Sequence, residues 1–242
     1  MTAGFEQQHA QLARLCGPAT RFAARTDPEN PADILAMQIV LHIPKQQLPR
    51  RSALLAAAAA ASIAVCMDER VRDGGEWQKP VSDWMAARIR KVARRARGAQ
   101  WKAAQDVPGV TIEVEGAQAR ACVPGPVGAL DSRIKRLQIS GTELERDELP
   151  SPAEGLPVLS VNASLGMTVG KEAAQVGHAA MLLAAVLPTE AVSVWAAQGF
   201  ACTVREADEE AWRRLLPEAF VVVRDAGFTE VAPGSATVIA VP

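Results

Sequence analysis

Four of the five tryptophans in this 242-residue chain pair at one spacing. A shift of 111 positions lays Trp84 on Trp195 and Trp101 on Trp212, and with them Arg94 on Arg205, Val110 on Val221 and Gly116 on Gly227. Tryptophan is rare, so ungapped coincidences of this kind mark an internal repeat. A repeat restricts the chain to folds that can be built twice. A second spacing, 119, lays residues 158–162 on residues 39–43 and the helical segment after one on the helical segment after the other. The eight-residue difference falls in the loop containing Asp73-Gly-Gly.

The predicted elements follow the repeat. Residues 36–43 read as a buried strand by length and β-branched content. Residues 50–67 read as a helix, because alanine has the highest intrinsic helix propensity. Residues 73–76 read as a loop and residues 111–115, by their alternation, as a strand. In the second half, strands are expected at 158–162, 201–205, 220–224 and 237–241, and helices at 170–185, 190–198 and 208–216. Residues 87–96 look like a basic helix by charge pattern, but the repeat lays them on the strand at 201–205, so part of them is expected to be a strand. Residues 1–33 contain Pro18, Pro28 and Pro31 with little periodicity and read as an N-terminal arm, or a short helix followed by a loop. Residues 131–157 mix charges with Pro150, Pro152 and Pro157 and read as a linker. The organisation is then an arm (1–33), a first unit (34–130), a linker (131–157) and a second unit (158–242). The fold class is α/β: two similar three-layer units, each a small mixed four-stranded sheet with helices on both faces.

Charge separates the halves. Net charge is −1, which by itself argues for no polyanionic partner. Residues 1–130 hold 17 Lys/Arg against 12 Asp/Glu, residues 131–157 hold 4 against 6, and residues 158–242 hold 5 against 9. The basic run Arg88, Arg90, Lys91, Arg94, Arg95 and Arg97 lies in the first half, where it is a candidate RNA-binding strip or, equally, a solvated edge strand whose charges block aggregation. Cys16, Cys66, Cys122 and Cys202 are too far apart in sequence for a metal or redox motif, and reduced thiols are expected. The apolar stretch 52–67 is 16 residues long, short of the ~20 that cross a bilayer. With Glu6 near the start and no basic-then-apolar order, no leader is expected, which points to the cytoplasm and to no membrane partner.

The chemistry-bearing residues gather in the acidic half. Lys171, Gln175 and His178 stand at i, i+4 and i+7 of the helix that begins near Gly170, on one face. A lysine in a first helical turn opposes the helix dipole, so Lys171 calls for an anionic partner, either Asp225 or a substrate phosphate. Asp225 ends a strand before Ala-Gly, the strand end at which α/β sheets carry their sites. Thr229 and Ser235 add hydroxyls on the following loop, which Pro233-Gly234 shapes. For each of these residues a structural role is the competing reading: a surface lysine, a buried hydrogen-bonded histidine, a turn-forming aspartate.

Taken together, Gly170-Lys171-Glu-Ala-Ala-Gln175-Val-Gly-His178-Ala and Asp225-Ala-Gly-Phe-Thr229-Glu-Val-Ala-Pro-Gly-Ser235 resemble the two signature stretches of the type 2 peptidyl-tRNA hydrolase family. The resemblance covers about residues 157–242. It implies an esterase that cleaves the bond between a peptide and the 3′ end of tRNA. The catalytic group would be Lys171, Asp225 and Thr229, supported by Gly170, Gln175, His178 and Ser235. It implies tRNA as partner, with the ribosome as a further candidate, and neither metal nor organic cofactor. In chemical terms Asp225 would position or deprotonate a water, Thr229 would hold it, and Lys171 with the helix-start N–H groups would stabilise the oxyanion.

The chain departs from the family where the family is basic. Asn162, Gly166 and Val169 stand at basic positions before and within the loop, Ser164 replaces an aspartate, and Phe228 replaces an arginine. By the repeat, Lys171, Gln175, His178, Asp225 and Thr229 fall on Ser52, Ala56, Ala59, Val114 and Gln118, so the first unit has lost every one of these groups. The expectation is a monomeric pseudo-dimer: an inert basic half that docks RNA beside an active acidic half. The alternatives are a non-catalytic RNA- or ribosome-associated protein of this fold, or a hydrolase of a small ester or amide that uses no RNA.

Overall fold

A computed structural model describes residues 2–17, 26–148, 150–227 and 229–242. The first part of the chain runs α1 (Ala3–Cys16), β1 (Leu35–His42), α2 (Arg51–Cys66), α3 (Gln78–Ala86), β2 (Lys91–Ala96), α4 (Ala99–Ala104), β3 (Gly109–Val114), β4 (Ala117–Cys122) and the short β5 (Gly125–Pro126). A short helix, α5 (Ser132–Lys135), leads to β6 (Val158–Asn162), α6 (Val169–Val186), α7 (Thr189–Ala197), β7 (Thr203–Ala207), α8 (Glu209–Leu215), β8 (Val221–Arg224) and β9 (Ala236–Val241).

Two mixed sheets result, with one topology. Their strand orders are β2-β1-β4-β3 and β7-β6-β9-β8. In each, the first strand runs parallel to the second and antiparallel to the fourth, and the third and fourth form a hairpin. The N-terminal sheet adds β5, which pairs with the start of β1. The spacings hold at element level: α3 and α7 lie 111 residues apart at both ends, and β4 and β9 lie 119 apart at both ends. The tryptophans explain why the repeat is visible. Trp84 Nε1 donates to the carbonyl of Arg90 at 3.0 Å, and Trp195 Nε1 donates to that of Ala201, six residues on in each case, at 2.7 Å. Each buried indole thereby ties a helix to the turn before the next strand, a role no smaller side chain fills.

The spacing of the first strands is 120, not the expected 119. Ile39 pairs with Ala121 and Leu159 with Ala240, and these alanines are 119 apart, so Leu159 corresponds to Ile39. A one-residue slip moves every side chain to the opposite face. The sequence could not resolve it because Ile39, Val40 and Leu41 are all fully buried, leaving no alternation to read.

Helices α2 and α6 pack on each other in a shared layer between the sheets. α2 contacts β3 and β4 of its own unit and β7 of the other, while α6 contacts β8 and β9 of its own and β2 of the other. The stretch Arg51–Val71 has the length and hydropathy of a membrane-crossing helix, but here it is mostly buried within the protein. Its alanines let it lie close to α6. At the crossing Gly177 faces Ser62 so closely that an added Cβ would lie 2.4 Å from the serine Oγ. The outer faces are covered separately, the first by Trp101, Ala104, Ile134 and Leu137 over Val40, the second by Trp212 over Ala207 and Ile239.

The connecting segments are more tightly held than an arm and a linker. Of the two readings of residues 1–33 the short helix holds: residues 3–16 are a helix, and it joins the two units. Gln8 Nε2 donates to the carbonyls of Cys66 and Asp68 at 3.0 and 2.7 Å, and His9 bonds Thr189 Oγ1 and the carbonyl of Ala184 at 2.9 and 2.8 Å. Its inward face, Gln8, His9, Leu12 and Cys16, has helical spacing but is half polar, so hydropathy hid it. Pro18 lies outside the described residues. Residues 131–157 are not a free linker: Ile134, Leu137, Thr142 and Leu144 are buried. Asp147 accepts the N–H and hydroxyl of Ser52, capping α2, which has no cap of its own. Thr142 Oγ1 accepts the N–H of Gly170 at 3.0 Å. The prolines that suggested a flexible linker occupy only its last part.

Overpacking at the helix crossing is expected to cost stability. Gly177→Ala should destabilise the protein by about 1–3 kcal/mol. Adding Ser62→Ala should recover part of that, because it removes the 2.4 Å clash and leaves contacts to the residue-62 Cβ at 3.0 Å and to Lys91 Cδ at 3.4 Å. Urea denaturation of the single and double variants measures both.

Candidate active site

The hairpin between the third and fourth strands separates the units. In the N-terminal unit Val114 pairs with Ala117, so β3 and β4 are joined by Glu115 and Gly116 alone, at φ +48 and +79°. Two positive φ values in a two-residue loop make the tight turn that suits strand twist. In the C-terminal unit Arg224 pairs with Ala236 and eleven residues lie between them; counted from Asp225, which stands 111 residues beyond Val114, ten lie before Ala236. The loop is therefore eight residues longer than its counterpart. Thr229 lies in that insertion and has no partner in the first unit, a correction to the pairing of Thr229 with Gln118. The structural counterpart of Gln118 is Thr237, at the spacing of β4 and β9.

The loop is closed by its own backbone. Asp225 N–H donates to the Ser235 carbonyl at 2.9 Å, and Gly234 N–H donates to the Asp225 carbonyl at 2.8 Å. Gly227 N–H donates to Asp225 Oδ1 at 2.8 Å and so fixes the carboxylate. That turn requires glycine: φ is +80°, and a Cβ would lie 2.3 Å from Pro233 Cγ.

Helix α6 brings the cation. Thr168 caps it by accepting the Lys171 N–H at 3.2 Å. Lys171 Nζ ion-pairs with Asp225 Oδ2 and donates to Thr229 Oγ1 at 2.9 Å. One turn later Gln175 Nε2 donates to the same Asp225 oxygen at 2.8 Å. Behind it, Thr237 Oγ1 donates to Gln175 Oε1 at 2.8 Å. Asp225, Gln175 and Thr237 are buried, whereas Thr229 is exposed, so the group opens to solvent through the lysine and the threonine. Glu230 holds the loop to the helix: its two carboxylate oxygens accept the N–H and the hydroxyl of Thr168, each at 2.8 Å. The sequence reading did not single out Thr237 or Glu230. Thr237 reads as a strand residue, and its only signal is a hydroxyl on the sheet face that meets α6.

The remaining candidates fall elsewhere. The N–H groups of Gly170 and Lys171 are already taken by Thr142 and Thr168, so these helix-start amides are not available for an oxyanion. Ser235 joins the site through its main-chain carbonyl. His178 lies away from Asp225, with Nδ1 3.3 Å from Lys91 Nζ on β2 of the other unit. The basic run is not brought together on one face. Arg88 and Arg90 pair with Asp27, and Arg95 with Gln138. Arg94 is buried on Gln38 and the Leu137 carbonyl, Lys91 is turned inward beside His178, and Arg97 alone stands clear of these contacts at the surface. Asn162, at a position basic in the family, caps the next turn through Ser164. Phe228 lies outside the described residues.

The fold and site together define a two-unit α/β protein in which the second unit alone carries a Lys–Asp–Thr group at its strand ends, backed by a Gln–Thr pair. Residues 157–242 match the family model described as peptidyl-tRNA hydrolase PTH2. Among curated proteins, the probable peptidyl-tRNA hydrolase 2 of Schizosaccharomyces pombe is 38% identical over 94 residues, covering 35% of this chain and 46% of that protein. The chain thus spans a little under half the length of this relative. No solved structure matches the chain significantly.

Two outcomes follow from the buried contacts. Thr237→Val keeps the shape but leaves Gln175 Oε1 buried without its donor, and should destabilise the protein by about 1–3 kcal/mol in denaturation. Burial lowers the Lys91 amine from 10.5 to about 8. Between those values Lys91 binds more protons in the unfolded chain, so its own contribution to stability rises with pH. The buried thiols of Cys66, Cys122 and Cys202, pushed up to about 12, 11 and 12, act the other way. The stability of the native chain relative to Lys91→Met should therefore rise with pH, as measured by denaturation midpoints of both from pH 7 to 10.

Proposed function

We propose that this protein hydrolyses the ester between a peptide and the 3′ end of tRNA, with the reaction confined to the C-terminal unit. The N-terminal unit is then an emptied copy that lacks the catalytic loop. The observation that carries this reading is the convergence of Lys171, Asp225 and Thr229 at one strand end, within the residues that match the hydrolase family.

The bonding pattern suggests a role for each group. Asp225 receives Lys171 and Gln175 on Oδ2 and the Gly227 N–H on Oδ1. A carboxylate oxygen accepts more than one hydrogen bond, so Oδ1 can also take a proton from an attacking water. Thr229 Oγ1 accepts from Lys171, which leaves its own hydroxyl hydrogen to orient that water or the substrate. The ammonium of Lys171 has three N–H donors and spends two inside the site, so the third is available for the oxygen that gains negative charge. With the N–H groups of Gly170 and Lys171 already used, oxyanion stabilisation falls to this ammonium. Gln175 and Thr237 hold Asp225 in place from behind.

A second reading, hydrolysis of a small ester without RNA, is favoured by the scattering of the basic run and by Asn162, Ser164, Gly166 and Val169 in the loop before α6. One assay addresses both. N-acetyl-aminoacyl-tRNA should be cleaved by the full chain, with Asp225→Asn slowing kcat by roughly 10²–10⁴ and Lys171→Met by roughly 10²–10³. An unchanged rate for Asp225→Asn would remove the base role. Equal kcat/KM on N-acetyl-aminoacyl-adenosine would transfer the proposal to the small ester.

A further inference from the structure

Two stretches of the chain carry cations and no carboxylate. Between Asp83 and Asp106 there are seven Lys/Arg and no Asp or Glu, and between Asp131 and Glu143 there are three and again none. The fold lays these stretches side by side. Arg95 of β2 forms an antiparallel bridge with Gln138, its N–H donating to the Gln138 carbonyl at 2.9 Å. In that register, two steps out from the bridge bring Arg97 opposite Arg136. Of the basic run only Arg95 and Arg97 take part, and Arg136 comes from the connecting segment.

Strand alternation brings this strip to the candidate active site. Lys91, Ala93 and Arg95 share one face of β2, while Arg94 turns to the other, toward Gln38 and the Leu137 carbonyl. α6 crosses the first face in the direction opposite to β2. Gly177 lies by Lys91 and Gly170 by Ala93, where added Cβ atoms would come 3.4 and 3.6 Å from those side chains. The helix begins at Val169, so Arg95, the next residue of that face, stands at the end that carries Lys171. Its guanidinium lies against Gly141, where a Cβ would be 2.9 Å from Cζ, and the following residue, Thr142, holds the Gly170 N–H. Arg97 is four residues beyond Ala93, roughly 13 Å along a strand. The charge of the strip is not neutralised from within. Arg95 donates to the neutral amide of Gln138, and among the described residues no carboxylate lies in ion-pair range of the exposed Arg97 and Arg136. Asp106 and Asp131, which bound the two stretches, are met by Arg133. Exposed Glu143 bounds the strip beyond Thr142.

We propose that Arg95, Arg97 and Arg136 form a track for the phosphates adjoining the 3′ end of tRNA, so that the inert unit holds the strand whose terminal ester lies at Lys171. The proposal rests on the hydrolase reading and names the part of the chain that supplies the positive charge missing from the loop before α6. Guanidinium groups suit phosphate oxygens in charge and in N–H geometry. An acidic protein would match the charge as well. The strip, however, is narrow and leads outward from the start of α6, which suits a chain whose end is the substrate.

The test uses the full chain and three probes: deacylated tRNA, followed by fluorescence anisotropy over a range of salt, and the N-acetyl-aminoacyl esters of tRNA and of adenosine. Each phosphate contact on a single strand adds roughly 0.7 to the slope of log affinity against log salt. Changing Arg95, Arg97 and Arg136 together to Gln should weaken tRNA about tenfold or more and reduce that slope by about 2. It should raise KM for the tRNA ester with kcat unchanged, and leave kcat/KM for the adenosine ester, which has no phosphate, as it was. Lys79→Gln, at a lysine 85% exposed on α3, should change none of these values. Circular dichroism verifies folding, and should the loss of Arg95 disturb the Gln138 bridge, Arg97→Gln with Arg136→Gln carries the comparison at a slope change of about 1.4. An unchanged salt slope in the folded variants overturns the proposal, as does equal weakening by Lys79→Gln, since the effect is then diffuse charge. Displacement of tRNA by polyglutamate at equal charge overturns it too and assigns the strip to acidic proteins. The two readings fail separately: variant-sensitive tRNA binding without cleavage of either ester removes the hydrolase reading and keeps the track, whereas cleavage that the variants do not alter removes the track alone.

Discussion

Arg51 opens α2, Glu172 lies in the first turn of α6, and their side chains meet with Nη2 2.7 Å and Nε 3.1 Å from the two carboxylate oxygens. Burial pushes the Glu172 carboxyl up to about 7, and the Arg51 guanidinium acts against that rise. Arg51 also donates to the Leu144 carbonyl at 3.0 Å and lies 3.1 Å from Glu206 on β7. Such a pair adds little net stability, because desolvation offsets most of the attraction; its clearer effect is on register. It brings the starts of the two central helices together and anchors the connecting segment between them. Lys171 is the next residue along, so fixing Glu172 toward the first unit turns the lysine toward Asp225. The geometry of the Lys171–Asp225 pair in one unit thus depends on an arginine of the other.

The two units share a topology but differ in what their strand ends can do. A two-residue turn leaves the N-terminal hairpin without a loop, whereas the C-terminal hairpin holds enough chain to fold back over α6. Glu230 joins that chain to the helix cap, while Asp225 and Thr229 engage the lysine. At the corresponding helix start in the first unit, Asp147 of the connecting segment bonds Ser52, and Arg50 pairs with Glu115 of the tight turn. Those contacts fill with structural bonds the space in which the second unit presents reactive groups. The short turn and the filled helix start go together, since a short turn leaves the helix cap in need of another partner.

The parts legible in the sequence were those with a single physical cause. The tryptophans recur because each must close one helix–strand turn, and the alanine-rich helix is apolar all round because it lies between two sheets. An uncompensated lysine in a first turn pointed from Lys171 to an anion such as Asp225, whereas Thr229 joined the pair only through the resemblance to the hydrolase family. The less legible parts depend on tertiary partners. The strand register was hidden by burial on both faces. α1 was hidden because Gln8 and His9 spend their polarity inward on backbone carbonyls and Thr189. Residues 131–157 looked solvated because their charges were counted without the helix start that Asp147 caps.

The same distinction governs the basic half. A formal excess of positive charge becomes a surface field only where the charges face water. Arg94 and Arg120 lie in one row across the N-terminal sheet, both paired across Val40 of β1. Both are buried, on Gln38 and the Leu137 carbonyl in one case and on the Val107 carbonyl and Thr111 in the other. Burial lowers both guanidinium groups from their ordinary value, with no carboxylate bonded to either. Lys91 is likewise drawn inward beside His178. Strand alternation directs these three cations toward the packed faces of the sheet, so Lys91, Arg94 and Arg120 add little to the surface field of residues 1–130.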